Sequence, residues 1–113
     1  MTETTWVRVC DTALVAPGEM AAVPDVALPP LAVFNLGQRF CVTSNVCTHN
    51  QALLTDGFFE HGIVECPLHG GSFNVVSGEP ESFPCSIPLP TYEVEVRDGG
   101  VYARLPTGLR ASA

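Results

Sequence analysis

The chain has 113 residues, 46% of them hydrophobic and 15% charged, against roughly 25% charged in an ordinary soluble domain, so it is one folded domain and not a disordered tail. Twelve acids face five arginines and no lysine, for a formal net charge of −7. Nucleic acid and anionic membrane surfaces are thereby excluded as partners, because both require a basic face.

The predicted elements are short strands. Trp6-Val7-Arg8-Val9-Cys10 alternates, and Pro17-Gly18 turns the chain into a strand over Glu19 to Val23. Pro24 to Pro30 is a loop, since its three prolines lack the donors of a central strand, and no function is assigned to it. Leu31 to Asn35 and Gln38 to Ser44 flank Leu36-Gly37 as a hairpin, and Ile63-Val64-Glu65 is a short β-branched run after a turn at His61-Gly62. Ser77 to Pro80 is a turn and Pro84 to Pro90 a loop. Thr91 to Arg97 alternates as one strand, Asp98-Gly99-Gly100 turns, and Val101 to Arg104 returns. No window of eleven residues carries a 3.6 period, so the expected fold class is all-β.

Met1 to Trp6 lacks the basic start and apolar run of a signal peptide, and no apolar stretch approaches the ~18 residues of a membrane span. The expected location is the cytoplasm, where five cysteines serve as thiols or metal ligands, not disulfides. The acids are unevenly spread. Asp56, Glu60, Glu65, Glu79, Glu81, Glu93 and Glu95 lie between Phe40 and Val96 without a single arginine, while charges balance elsewhere.

Two segments carry the chemistry: Cys47-Thr48-His49 and Cys66-Pro67-Leu68-His69, the latter followed by Gly70-Gly71. Two cysteines and two histidines can hold one structural zinc or a 2Fe–2S cluster in which two imidazoles replace two thiolates on one iron. A Cys₂His₂ zinc finger keeps like ligands together, with its histidines on a helix. Here each loop carries one of each kind and no helix follows, which favours the cluster. The pattern Cys-x-His … Cys-x-x-His, with its flanking runs from Cys47 to Leu54 and from Val64 to Phe73, closely resembles the Rieske family.

That resemblance implies an antiparallel β-sandwich or barrel-like base with a small inserted cluster-binding subdomain. On this chain it implies a single Rieske domain over 1–113, with the base at about 1–41 and 84–113 and the subdomain at about 42–83. It also implies that Cys47 and Cys66 hold the inner iron, that His49 and His69 hold the outer one, and that Ser82-Phe83-Pro84 belongs to a proline loop covering the cluster. High-potential relatives carry an additional disulfide whose positions here are Ala52 and Leu68, and they carry a membrane anchor. A mononuclear oxygenase iron needs two histidines and a carboxylate, yet only His61 remains.

The resemblance therefore implies a Rieske-type ferredoxin, similar to the ferredoxin component of bacterial aromatic-ring-hydroxylating dioxygenase systems. Such a carrier takes one electron from an NADH-dependent flavin reductase to the Rieske cluster of a terminal oxygenase, catalyses nothing itself, and is a monomer. The rival readings are a small Rieske subunit of a larger oxidoreductase, such as a nitrite reductase, and a zinc-binding interaction module. Cys10, Cys41 and Cys85 read as small buried hydrophobes, with a redox role for Cys85 as the alternative. His61 reads as a turn residue, and Trp6, Tyr92 and Tyr102 as packing for the base. In high-potential relatives a serine and a tyrosine donate hydrogen bonds at the positions of Gly71 and Phe73, so a low reduction potential is expected here.

Overall fold

The computed structural model describes residues 3–23, 30–48, 52–68 and 70–106. They form eleven short strands: β1 (Thr4–Asp11), β2 (Met20–Ala22), β3 (Leu31–Asn35), β4 (Phe40–Ser44), β5 (Phe58–Glu60), β6 (Ile63–Glu65), β7 (Ser72–Asn74), β8 (Pro80–Ser82), β9 (Thr91–Tyr92), β10 (Val94–Arg97) and β11 (Gly100–Pro106). The strands pair antiparallel into three sheets, ordered β1-β11-β10, β2-β3-β4-β9 and β5-β6-β7-β8. The all-β fold class is as expected, and among the described residues no helix is long and apolar enough to cross a membrane.

The second sheet is the middle layer. All five residues of β3 are buried, and the period of two divides them between two cores. Leu31 and Val33 pack with Val9, Val42, Val101 and Leu105 on the side of the first sheet. Ala32 and Phe34 pack with Leu54, Val64, Phe73 and Val75 on the other side. A strand buried on both faces reads as a continuous apolar run, which is what Leu-Ala-Val-Phe supplies. Phe34 is fully enclosed, with its ring centroid 5.0 Å from that of Phe59. Phe34→Ala is expected to cost about 3–5 kcal/mol, read as a lower urea midpoint at unchanged slope.

Two tight turns follow the sequence closely. Asp98-Gly99 joins β10 to β11 with φ of 50° and 75°, and His61-Gly62 joins β5 to β6 with φ of 54° and 79°. Two successive residues at positive φ suit the twist of a two-residue hairpin.

The predicted strand Thr91 to Arg97 is two strands in two sheets. β9 pairs with β4 and β10 with β11, so the chain changes sheets at Glu93. Alternation persists across the crossing because Tyr92 and Val94, on either side of it, are both partly buried against the same core. Strands β5, β7 and β8 were not predicted; each has only three residues, too short for a period to register. Trp6 is 40% exposed and does not pack the base as expected, since its side chain falls on the outward phase of β1. Tyr92 packs against the base core, while Tyr102 carries the Arg97 guanidinium at 4.4 Å. Pro24 to Pro29 of the predicted proline loop lie outside the described residues, and the carbonyl of Pro30 accepts a hydrogen bond from Asn45 N at 2.8 Å.

Candidate metal centre

Three loops converge beside the second core. The first runs on from β4 through Cys47. Its shape rests on Asn45, a buried amide whose Nδ2 donates to Thr55 Oγ1 at 2.9 Å while its Oδ1 accepts from Thr55 N at 2.9 Å. Its backbone carbonyl also accepts from Leu54 N at 2.8 Å. Cys47 N donates to Ala52 O at 2.9 Å. A buried amide with all these partners holds a loop without strain. Asn45 was not singled out from the sequence, where a lone polar residue after an apolar strand is too common to count as a signal.

The second loop joins β6 to β7 and is closed by Cys66 N donating to Gly71 O at 2.7 Å. It is also packed from below, because a Cβ on Gly57 would collide with Glu65 O and lie 3.1 Å from Pro67 Cδ. The third loop follows β8. Phe83 there is 91% exposed, and its peptide bond to Pro84 is cis. Thr48 Oγ1 donates to Ile87 O at 2.7 Å, tying the third loop to the first.

Cys47 and Cys66 are 1% and 2% exposed, and both belong with Cys85 to the second core. Burial, with the neighbouring Cys47 and Cys66 thiols as lesser causes, pushes the pKa of the Cys85 thiol up to about 11. The two sequence-predicted cysteines are therefore brought together from separate loops, whereas His49 and His69 lie outside the described residues. Two buried thiols converging from two loops are a soft donor pair, suited to iron–sulfur ligation. No cysteine among the described residues forms a disulfide, and Ala52 and Leu68 stand at the two positions where a bridge would need cysteine.

Cys10 and Cys41 behave as small hydrophobes, one in each core, and burial raises the pKa of both. Cys85 is likewise buried in the second core, as a small hydrophobe would be.

The charge pattern also changes in three dimensions. Glu93 pairs with Arg104 at 3.0 Å and Glu95 with Arg97 at 2.6 Å, both in the first sheet. Of the seven acids in the predicted acidic stretch, five belong to the third sheet and its connections: Asp56, Glu60, Glu65, Glu79 and Glu81.

The family model for the Rieske [2Fe-2S] domain matches residues 5–93. The chain is 44% identical over 97 residues to the ferredoxin CarAc of Metapseudomonas resinovorans, covering 86% of this chain and 91% of that one. Among solved structures it is similar to the Sphingomonas yanoikuyae B1 ferredoxin, with a TM-score of 0.84 and 45% identity over 90% of this chain and 100% of that one. A ferredoxin solved in complex with the oxygenase of carbazole 1,9a-dioxygenase is similar too, with a TM-score of 0.81 and 44% identity over 87% of this chain and 91% of that one.

Proposed function

Because the chain belongs to the Rieske [2Fe-2S] domain family, we propose that it is the ferredoxin of a ring-hydroxylating dioxygenase system, carrying single electrons from an NADH-dependent flavin reductase to the Rieske cluster of a terminal oxygenase. The family's cofactor is one 2Fe–2S cluster, which supplies a one-electron redox couple. Cys47 and Cys66 would hold one iron through sulfur, and His49 and His69 the other through nitrogen. The observation that carries this reading is that Cys47 and Cys66, from two loops, are buried in one cluster of side chains. The similarity to ferredoxins over nearly the whole chain supports a carrier over the nitrite reductase subunit, and the family's cofactor supports iron–sulfur over zinc.

The chain's own residues perform three tasks in this reading. Asn45 and the Cys66–Gly71 backbone bond hold the ligand loops. The buried packing around both cysteines excludes water. Leu53, Leu68, Phe83 and Ile87, spread over the three loops, expose apolar surface for docking. The carrier acts in the cytoplasm as a monomer, with the subdomain at about 42–83 presenting the cluster to both partners.

Reconstitution tests the function. Adding the protein to purified reductase and oxygenase should make aromatic oxidation depend on NADH, and omitting it should stop turnover. The five acids of the third sheet should steer it toward basic patches, so the electron-transfer rate is expected to fall as salt shortens the Debye length to ~8 Å near 0.15 M. A rate that is flat from low to high salt would assign docking to the apolar side chains instead.

A further inference from the structure

One segment of chain, residues 52–58, runs between the first ligand loop and the second. At its start it lies antiparallel to the first loop: Ala52 O accepts from Cys47 N at 2.9 Å, Leu53 forms a bridge with Val46, and Leu54 N donates to Asn45 O at 2.8 Å. At its end it lies antiparallel to the second loop. Phe58 pairs there with Glu65, so the register puts Gly57 opposite Cys66. The stretch 52–57 therefore spans the interval between the positions facing the two cysteines.

The length of that stretch is fixed. Leu54–Asp56 is a turn of 3-10 helix, closed by Gly57 N donating to Leu54 O at 2.9 Å. Leu54 is fully buried, and the Asn45 amide grips Thr55 through two bonds of 2.9 Å. Gly57 has a φ of −99°, outside the left-handed region, so space and not φ demands glycine there. A Cβ would collide with Glu65 O and stand 3.1 Å from Pro67 N, the peptide atoms just before and just after Cys66.

From this arrangement we propose that residues 52–57 are a spacer that sets the separation of the Cys47 and Cys66 sulfurs before iron arrives, with Thr55 and Gly57 as its positioning residues. Thr55 ties the spacer to the Cys47 loop through Asn45, and Gly57 lets the Cys66 backbone lie directly on it. Ligands held in place beforehand lose less freedom on binding, so the bound group is kept more tightly.

The proposal rests on the 2Fe–2S reading, and its test separates the two. A chelator is added to the holoprotein and its variants, the visible absorbance follows the loss of iron, and EPR spectra are recorded after reduction with dithionite. Gly57→Ala should speed iron loss about tenfold, the lower end of the effect of groups that orient metal ligands, and should shift the g values of the reduced cluster. Thr55→Ala should act in the same way to a smaller degree. Thr55→Ser, which keeps the acceptor for Asn45, should match the parent. Leu105→Ala opens a cavity in the first core and weakens the fold without touching the spacer, so its g values should be those of the parent. Should Gly57→Ala not fold, the two Thr55 variants decide by the same readouts. Parent-like iron loss and g values in Gly57→Ala, equal behaviour of Thr55→Ala and Thr55→Ser, or an equal shift in Leu105→Ala would overturn the proposal while the parent stays red-brown. A colourless parent would end the iron–sulfur reading and the proposal together.

Discussion

Cys66→Ala and Cys47→Ala are each expected to abolish the red-brown colour of a parent protein that contains about two irons and two acid-labile sulfides per chain. Both side chains are buried in the second core, so neither has water or a surface group to substitute for it as a ligand. Iron analysis and the visible spectrum measure the loss. Cys10→Ala and Cys41→Ala are the controls: these cysteines pack in the two cores, and removing one small buried group should reduce stability slightly while leaving the colour intact. A colourless parent holding a single zinc would overturn the assignment. Equal loss of iron in all four variants would show that core stability, not ligation, was being measured.

The parent is expected to have a potential near −150 mV, toward the bottom of the roughly −150 to +300 mV range of Rieske centres. Hydrogen bonds to the sulfurs raise a potential because they stabilise added negative charge. Neither Gly71 nor Phe73 has a side-chain donor, and Ser72 is turned away, its Oγ lying 2.8 Å from Ser82 Oγ. The five acids of the third sheet act in the same direction, reduced by solvent screening. Gly71→Ser/Phe73→Tyr tests the idea only when room is made for the serine, because of Cys85. The triple variant with Cys85→Ala is therefore expected to lie above the parent by voltammetry. A parent well above zero would sink the low-potential assignment and the ferredoxin branch with it.

The sequence by itself determined the local features. Alternation marked β1, the Leu36-Gly37 turn marked the β3–β4 hairpin, and Asp98-Gly99 marked the last hairpin, because these signals depend only on neighbours along the chain. The Cys-x-His and Cys-x-x-His loops were legible for the same reason, since ligand type and spacing are local. Only the tertiary structure decided what each buried face packs against. It split Thr91 to Arg97 between two sheets and paired Glu93 and Glu95 with arginines on the first sheet. It also gave Asn45 its hold on the first loop and set the Cys85 thiol against Gly71. Periodicity reports that a side chain is buried, but its partner comes from another part of the chain, and contacts across such separations leave no periodic trace in the sequence.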